Sequence, residues 1–305
     1  MPTNILKINN LSKYFGKRQV LHQVSFSIKK GHITGLIGAN GAGKTTIMKS
    51  ILGITEFTGT IQLNQEHIAV NKHLPLQNVG ALIEYPGLYP FLTGREQLQL
   101  FATGDNQHQK VEDIIEKLNI KSFADSKAKN YSLGMKQKLG IALALVNHPQ
   151  LAILDEPMNG LDPQATKELR DLIVTEKNNG TSFLVSSHIL SELQKLAEDV
   201  VVIDKGRVIK DTTMTQLLLA NQQYILIDTD NNKLAQQLLT AAGYQCTETK
   251  EHLQISKTPQ VSIGIILKLL FEHNIEINDF QQKAGDLEES LLGILNNESD
   301  LRKEA

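Results

Sequence analysis

The stretch GANGAGKTT at residues 38–46 decides the fold of this chain. It fits the pattern G-x-x-x-x-G-K-[ST] through Gly38, Gly43, Lys44 and Thr45, and it lies between an apolar strand-like segment and a segment with helical spacing. Glycines at such a turn let consecutive backbone N–H groups point inward, where they and the positive end of the following helix hold phosphate. This context favours a phosphate-binding loop over the alternative, an ordinary glycine-rich turn.

The polar residues of this loop have distinct expected roles. The Lys44 ammonium is expected to reach the β- and γ-phosphate oxygens, and the Thr45 hydroxyl to be a ligand of Mg²⁺. The residues expected to contact the nucleotide in this loop are Gly38, Asn40, Gly41, Gly43, Lys44, Thr45 and Thr46. A nucleoside triphosphate with Mg²⁺ is therefore the predicted ligand.

Two acids follow an apolar segment, LAILDEP, at residues 151–157. We expect Asp155 to be the second protein ligand of Mg²⁺, and Glu156 to act as a general base that polarises water for in-line attack on the γ-phosphate. An acid at the start of a helix is the alternative for Glu156.

His188 ends another apolar strand and is expected to contact the γ-phosphate or the water, because sites in α/β sheets lie at the carboxyl ends of parallel strands. A structural histidine is the alternative.

Two residues outside these segments are also candidates. Phe15, with Tyr14 beside it, offers an aromatic face for a nucleotide base, although aromatic side chains more often pack in a core. Glu84 is the one carboxylate in ALIEYPGLYP, residues 81–90, which is otherwise apolar, aromatic and rich in proline. Taken alone, Glu84 is most simply a solvated side chain.

Composition narrows the class of protein. The 305 residues include 31 Lys and Arg against 33 Asp and Glu, a net charge of −2, which argues against a nucleic-acid-binding protein. Cys246 is the only cysteine and the start MPTNILKINN does not match a secretory signal, so a reducing cytoplasm is expected. No stretch approaches the roughly 20 apolar residues of a membrane span. Any membrane role would require a partner polypeptide.

Strand-like and helix-like segments follow each other in blocks. Residues 5–37 predict an antiparallel, β-rich start that leads into a buried strand. A helix-rich region spans about 94–148, and strands alternate with helices from 151 to 210, which is typical of a parallel α/β sheet. We expect one ATP-binding domain over 1–220, with the region 94–148 as its helical subdomain.

The remaining residues, 221–305, are expected to form a smaller accessory domain. Their predicted order is β-α-β-β-α-β, the ferredoxin-like arrangement, with strands at 224–228 and 275–282, a pair of strands within 244–256, and helices at 233–243 and 262–273. A last helix is predicted at 286–297, before a polar tail. We find no ligand-binding constellation in this part of the sequence.

With these residues in place, the chain resembles the ATP-binding subunit of ABC transporters over about residues 4–220. The segment YSLGMKQKLGIALALVNHPQLAILDEP, residues 131–157, resembles the family signature followed by the helix that runs to the acidic strand. Ser132 and Gly134 match that signature, and NGLD resembles the loop that communicates between two subunits, with Asp162 as the matching acid. The signature departs from the usual form at three positions: Tyr131, Leu133 and Met135.

The resemblance implies a fold and a mechanism. The fold would be an α/β phosphate-loop NTPase of ABC type, with a parallel core sheet, an antiparallel β subdomain and a helical subdomain. In the family, two subunits pack head to tail so that the signature, here with Ser132, Gly134 and Asp162, closes over ATP on the opposite subunit. Hydrolysis then separates the halves and drives a separate transmembrane permease. A homodimer on the inner face of the cell membrane, without a covalent anchor and without nucleic acid, is expected.

Glu84 acquires a role from the same resemblance. Family members usually carry Gln at this point, in a loop that reaches both Mg²⁺ and the membrane subunit, and here Glu replaces it. A carboxylate can ligate Mg²⁺, so we expect Glu84 to act beside the metal and in coupling to the permease. The substitution resembles the bacitracin-resistance and lantibiotic-immunity subgroup, which exports antimicrobial peptides.

Two other functions remain as alternatives. One is an ABC-type ATPase acting on ribosomes or nucleic acid, disfavoured by the single phosphate loop and by the lack of a basic excess. The other is a regulatory ATP-binding module, disfavoured by the presence of Lys44, Asp155, Glu156 and His188 together. Cargo contacts belong to the transmembrane subunit, so the sequence leaves the cargo open.

Overall fold

The computed structural model describes residues 3–70, 74–188, 190–219, 223–249, 252–257 and 261–284. The chain divides into two compact units, Met1–Met214 and Thr215–Ala305. The boundary expected from the sequence lies a little later, after residue 220. Among the described residues, no helix has the length and apolar character needed to cross a membrane.

The first unit carries strands and helices in alternation. Its strands are β1 (Asn4–Phe15), β2 (Arg18–Lys29), β3 (Ile33–Ile37), β4 (Thr58–Leu63), β5 (Glu66–His67), β6 (Val79–Leu82), β7 (Leu151–Leu154), β8 (Ser182–Ser187), β9 (Asp199–Asp204) and β10 (Arg207–Thr213). Its helices are α1 (Lys44–Ile51), α2 (Gly94–Phe101), α3 (Gln107–Lys117), α4 (Lys121–Ala124), α5 (Leu133–Leu145), α6 (Pro163–Asn178), α7 (Leu190–Gln194) and α8 (Met214–Leu219), the last of which crosses the boundary. Short 3-10 turns lie at Leu74–Asn78 and Ala128–Asn130.

An antiparallel sheet forms the start of the chain, in the order β2-β1-β4-β5. Alternate residues of β2, Val24, Phe26 and Ile28, are buried while their neighbours are more exposed, which is the pattern of a strand with one covered face. The covered face packs with α1 through Ile47 and Met48 in one hydrophobic core. The predicted antiparallel β-rich start is confirmed.

A central sheet has the order β10-β9-β3-β8-β7-β6, and it is parallel except for the β10–β9 pair. Every residue of β3, β7 and β8 is buried, as expected for parallel strands covered on both faces. The phosphate loop follows β3, the two acids follow β7 and His188 follows β8. Because β3, β8 and β7 are neighbours, the three motifs meet at one edge of the sheet.

The predicted helical subdomain is confirmed, since α2 to α5 occupy the region 94–148. The sequence TGRE starts α2 with a capping box. The Thr93 hydroxyl accepts a hydrogen bond from the Glu96 N–H at 3.1 Å, and the Glu96 carboxylate accepts one from the Thr93 N–H at 2.7 Å.

The second unit has the predicted ferredoxin-like fold. Its elements are β11 (Gln223–Thr229), α9 (Asn232–Ala241), β12 (Cys246–Glu248), β13 (Leu253–Lys257), α10 (Ile263–Glu272) and β14 (Ile277–Ala284). The strands form an antiparallel sheet in the order β12-β13-β11-β14. Apolar residues of the sheet, such as Ile225 and Ile255, pack with Leu239, Ile266 and Leu270 of the two helices. The helix predicted at 286–297 lies outside the described residues.

Candidate active site

The phosphate loop turns into α1 at Gly43, which has a φ of 110°. L side chains rarely adopt this conformation, and a Cβ at Gly43 would lie 2.8 Å from Leu21 Cδ2. Glycine is therefore required both by the backbone conformation and by the close approach of Leu21. The first N–H groups of α1 have no partner within the helix, so the turn presents the donors of an anion site.

A pocket of about 330 Å³ opens beside this loop. Its lining residues are Arg18, Val20, Ala39, Asn40, Gly41, Gly43, Lys44, Thr45, Thr46, Asp155 and Glu156. The structure thus brings most of the predicted phosphate-loop residues together with both acids. The other residues predicted for the site lie outside this lining: Phe15, Gly38, Glu84, Ser132, Gly134, Asp162 and His188.

The Lys44 side chain is buried in the loop itself, with 6% of the residue exposed. Its ammonium donates to the Gly38 carbonyl at 2.7 Å and lies 3.4 Å from the Ala39 carbonyl. It also lies 3.6 Å from Glu156 Oε1. Carbonyl oxygens of the phosphate loop and the Glu156 carboxylate therefore surround this cation.

Asp155 is held by two hydroxyl groups. The Thr45 hydroxyl donates to Asp155 Oδ2 at 2.7 Å, and the Ser186 hydroxyl donates to Asp155 Oδ1 at 2.5 Å. Asp155 is 3% exposed, so these bonds satisfy a buried carboxylate. Sequence reasoning missed Ser186, because its contact arises from the pairing of β7 with β8, in which Leu154 lies opposite Val185.

Glu156 has a left-handed backbone, with a φ of 49°. Such a conformation costs a residue other than glycine roughly 1–3 kcal/mol. The Glu156 N–H donates to the Ser186 hydroxyl at 2.8 Å, which helps to hold the turn. On the side chain, Oε2 accepts hydrogen bonds from His188 Nδ1 at 2.7 Å and from the His188 N–H at 3.2 Å. The other oxygen, Oε1, is buried and has no hydrogen-bond partner among the described residues.

The oxygen atoms of Thr45 and Asp155 fit Mg²⁺. Magnesium prefers hard oxygen ligands and is commonly bound through one or two carboxylates together with phosphates and water, rather than by an all-protein cage. Within the described residues, no group of three or more His, Cys, Asp or Glu side chains could hold a metal by itself. A hydroxyl and a carboxylate beside a phosphate loop are the donor set that a magnesium–nucleotide complex needs.

Glu84 lies on the surface and pairs with Lys49, and its expected role beside Mg²⁺ stays a prediction. Its carboxylate accepts a hydrogen bond from Lys49 Nζ at 2.7 Å, and its side chain is 56% exposed. Its φ of 60° places it, like Glu156, in the left-handed region. The sequence had singled out this acid, but its lysine partner one turn beyond Thr45 was not predicted.

The signature segment begins α5 at an exposed helix end. Ser132 caps the helix by accepting the Met135 N–H at 3.3 Å, and Leu133 is 54% exposed. Leu133 also contacts Gly160, since a Cβ at Gly160 would lie 2.7 Å from Leu133 Cδ2. Gly134 lies against the same glycine, with the Gly160 carbonyl 3.3 Å from an added Cβ. The residue that departs most from the signature therefore packs on the loop NGLD.

Asp162, at the end of that loop, caps the next helix. Its carboxylate accepts the Ala165 N–H at 2.8 Å, and Pro163 occupies the first position of α6. Asp162 thus has a local structural role, and its predicted role between subunits stays a prediction.

Two buried residues that were not predicted as site residues connect this segment to its surroundings. Gln137 donates to the Pro157 carbonyl at 3.1 Å, which ties α5 to the turn that carries the acids. The Tyr131 hydroxyl donates to the Phe123 carbonyl at 2.7 Å and accepts the Gly94 N–H at 3.2 Å. Burial raises the pKa of the Tyr131 phenol.

Phe15 is 54% exposed at the end of β1, so its ring is accessible. The Lys13 ammonium lies 4.7 Å from the centroid of this ring, within the range of a cation–π contact. Tyr14 is 51% exposed and has no such cation contact among the described residues. The predicted contact of Phe15 with a base stays a prediction.

Comparison with known proteins identifies the family. A family model described as "ABC transporter" matches residues 21–159. Over 298 residues the chain is 34% identical to the bacitracin transport ATP-binding protein BcrA of Enterococcus faecalis, covering 95% of this chain and 96% of that protein. The chain belongs to the ATP-binding proteins of ABC transporters. The lantibiotic transport ATP-binding protein SrtF of Streptococcus pyogenes is 40% identical over 67% of this chain and 89% of its own length.

The fold of this ABC protein has a solved counterpart. A structure described as the ATP binding subunit of an ABC transporter covers 70% of this chain and 91% of its own, with a TM-score of 0.65 and 32% identity. The predicted family and fold class are confirmed. As an ABC ATP-binding protein the chain binds and hydrolyses ATP in the service of a transporter. The roles of its individual site residues remain predictions.

Proposed function

We propose that this chain is the energy-coupling subunit of an exporter of antimicrobial peptides, and that it hydrolyses Mg²⁺-bound ATP at Glu156. One observation carries the catalytic part of this proposal. Glu156 lines the pocket, and its Oε1 is buried, lacks a hydrogen-bond partner among the described residues and lies 3.6 Å from Lys44 Nζ. An oriented carboxylate with one free oxygen can accept a proton from attacking water.

The neighbouring side chains orient this base. His188 donates two hydrogen bonds to Oε2, so the carboxylate cannot rotate without losing them, and Oε1 stays beside Lys44. Lys44, which now binds loop carbonyls, binds the phosphate chain when ATP enters. We assign His188 to positioning the base, and to contact with the γ-phosphate or the water when the site is closed.

Thr45 and Asp155 hold Mg²⁺ in this proposal, with Glu84 as a further candidate at the metal side. The ion supplies positive charge that offsets the charge on the phosphate oxygens. The Thr45 hydroxyl oxygen lies 2.7 Å from Asp155 Oδ2, so the two oxygens are close enough to bind one ion. Both residues would therefore hold Mg²⁺ together with the phosphate oxygens.

The exposed start of α5 supports a head-to-tail homodimer. Ser132, at the N-terminus of α5, is exposed, and Leu133 beside it is 54% exposed. A helix N-terminus favours an anion, and Ser132, Gly134 and Asp162 lie outside the pocket of their own subunit. In the dimer, these residues close over the γ-phosphate bound by the other subunit, so that two ATP molecules are enclosed.

The proposed partner is a separate transmembrane permease. We propose that the subunit lies peripherally on the inner face of the cell membrane beside this permease, and the lack of a basic excess in the chain argues against nucleic acid as the partner. The relatives named for bacitracin and lantibiotic transport support a peptide antimicrobial as cargo.

The first test compares Glu156→Gln with Glu66→Gln, an exposed glutamate on β5 that does not line the pocket. Glu156→Gln is expected to lower kcat about 10²–10⁴-fold while it retains ATP binding, because only the proton acceptor is lost. It is also expected to accumulate an ATP-dependent dimer in size-exclusion chromatography. Glu66→Gln should match the wild type. Unchanged kcat in Glu156→Gln would refute the assignment of the base.

The second test identifies the partner. The tagged chain is recovered from mild-detergent extracts, and the accompanying proteins are identified by mass spectrometry. A multi-span protein in stoichiometric amount is expected, together with loss of peptide resistance in cells that carry Lys44→Ala. Recovery with ribosomes or nucleic acid, and without a membrane protein, would favour the alternative of an ABC-type ATPase that acts on those partners.

A further inference from the structure

Arg18 is a pocket residue to which neither the sequence motifs nor the family match assigns a role. It lines the 330 Å³ pocket together with the phosphate loop, although it comes from the distant hairpin of β1 and β2. Within the described ranges, no carboxylate pairs with Arg18 and no hydrogen bond engages its guanidinium. An unpaired guanidinium at the wall of a phosphate pocket is available for a ligand.

The hairpin sets the direction of this side chain. Arg18 lies directly opposite Phe15 in the β1–β2 pair, so the two side chains share one face of the ribbon. Val20, two residues further along the strand, also lines the pocket. Arg18 is the first residue of β2, and its backbone is held by its pairing with Phe15.

Charge explains what Arg18 could bind. Four ionisable side chains line the pocket, the cations Arg18 and Lys44 and the carboxylates of Asp155 and Glu156. Lys44 is already held by loop carbonyls and lies near Glu156. Without Arg18, the acids of the pocket would outnumber its cations, and a polyphosphate would meet a net negative site.

We propose that Arg18 binds the phosphate chain of the nucleotide and acts as the second cation of the pocket, beside Lys44. This inference rests on one part of the proposed function, namely that the pocket binds ATP. A guanidinium presents a planar fork of N–H donors that matches phosphate oxygens, and its hydrogen bonds to a charged acceptor are stronger than neutral ones. Arg18 is thus an affinity residue and not part of the proton-transfer machinery.

The test measures ATP and ADP binding to the full chain by isothermal titration calorimetry in the presence of EDTA, which prevents hydrolysis. Four variants are compared: Arg18→Ala, Arg18→Lys, Lys17→Ala and Lys44→Ala. Lys17 is the matched control, since it is the exposed neighbour in the same hairpin and does not line the pocket. Because Arg18 is exposed, its substitution should leave the thermal midpoint unchanged, and this is checked for every variant.

Arg18→Ala is expected to weaken ATP binding about tenfold, because one charge-assisted contact is lost. Arg18→Lys is expected to recover part of the lost affinity. Lys17→Ala should bind as the wild type does. The difference between wild type and Arg18→Ala should shrink when salt is raised from about 50 mM to about 500 mM, because a charge contact at the surface is screened.

Equal ATP affinity of the wild type and Arg18→Ala, with binding lost in Lys44→Ala, would overturn the role of Arg18 and leave the proposed function intact. A loss in Arg18→Ala that does not depend on salt would contradict a charge contact and overturn the proposed binding of phosphate by Arg18. Binding that survives Lys44→Ala would instead contradict the proposed nucleotide site itself.

Discussion

Lys49 Nζ lies 2.7 Å from Glu84 Oε1, and this ion pair joins the helix that follows the phosphate loop to the loop that follows β6. Lys49 is one turn beyond Thr45 on α1, so Glu84 is connected through one short helix to the proposed metal ligand. The pair also gives the unusual acid a local counter-charge. Both side chains are partly exposed, so the pair contributes little to stability and its importance is positional.

The first prediction concerns this pair. Glu84→Gln, Lys49→Met and the double variant should show a coupling of no more than about 1 kcal/mol in urea unfolding, because exposed ion pairs are weak. Resistance of cells to peptide antimicrobials should fall in both single variants, since each disconnects the loop from α1. If Glu84→Gln leaves both ATP hydrolysis and peptide resistance unchanged, the acid has no special role.

The second prediction concerns Ser186, whose hydroxyl donates to Asp155 and accepts the Glu156 N–H. Ser186→Ala should lower kcat about 10–100-fold, the range seen when a residue that orients a metal ligand is removed. The Mg²⁺ concentration that gives the half-maximal rate should rise as well, because Asp155 loses a hydrogen bond that orients it.

Ser186→Thr is the control for that variant, since it keeps the hydroxyl. Activity restored by Thr but not by Ala would assign the effect to the hydrogen bonds and not to packing. Full activity in Ser186→Ala would show that the two acids hold their places without this hydroxyl.

A third prediction follows from the contact of Leu133 with Gly160. Gly160 has a φ of 78°, and a side chain there would meet Leu133 Cδ2 at 2.7 Å. Gly160→Ala should therefore lower the thermal midpoint through both backbone strain and the clash, at a cost of about 1–3 kcal/mol.

Leu133→Gly separates these two contributions. In the Leu133→Gly background, Gly160→Ala should cost less than in the wild type, because only the backbone strain remains. An equal cost in both backgrounds would mean that Leu133 moves away freely and that the two segments are not packed together.

The fourth prediction concerns Tyr131, which is 5% exposed. Tyr131→Phe should lower the free energy of unfolding by about 1–3 kcal/mol, because the Gly94 N–H and the Phe123 carbonyl lose their shared partner. Burial raises the pKa of this phenol above its usual value of about 10, so its contribution is fully present below that value and is lost as pH rises through the raised pKa.

The pH dependence provides the check. The difference in unfolding free energy between wild type and Tyr131→Phe should be constant from about pH 6 to about pH 9 and should shrink only at higher pH. A difference that already falls within the neutral range would contradict a buried, protonated phenol.

Much of this site could be read from short segments. The loop 38–46 and the acids at 155 and 156 can be recognised in the sequence. A tight glycine turn and a buried strand are each encoded by a few consecutive residues. The ferredoxin-like order of the second unit was visible for the same reason, since hydrophobic periodicity changes from strand to helix along the chain. The domain boundary, expected after residue 220, was harder to place, because α8 runs across the division after Met214.

The sequence by itself determined the family, the phosphate loop and the two acids, because each is a local pattern of residue types. The tertiary structure alone decided which side chains meet them. Ser186 reaches both acids because β8 lies beside β7. Arg18 lines the pocket because it lies in the β1–β2 hairpin. Lys49 on α1 meets Glu84 in the loop that follows β6. These contacts join residues far apart in the chain, and they depend on strand order and register, which no local pattern contains.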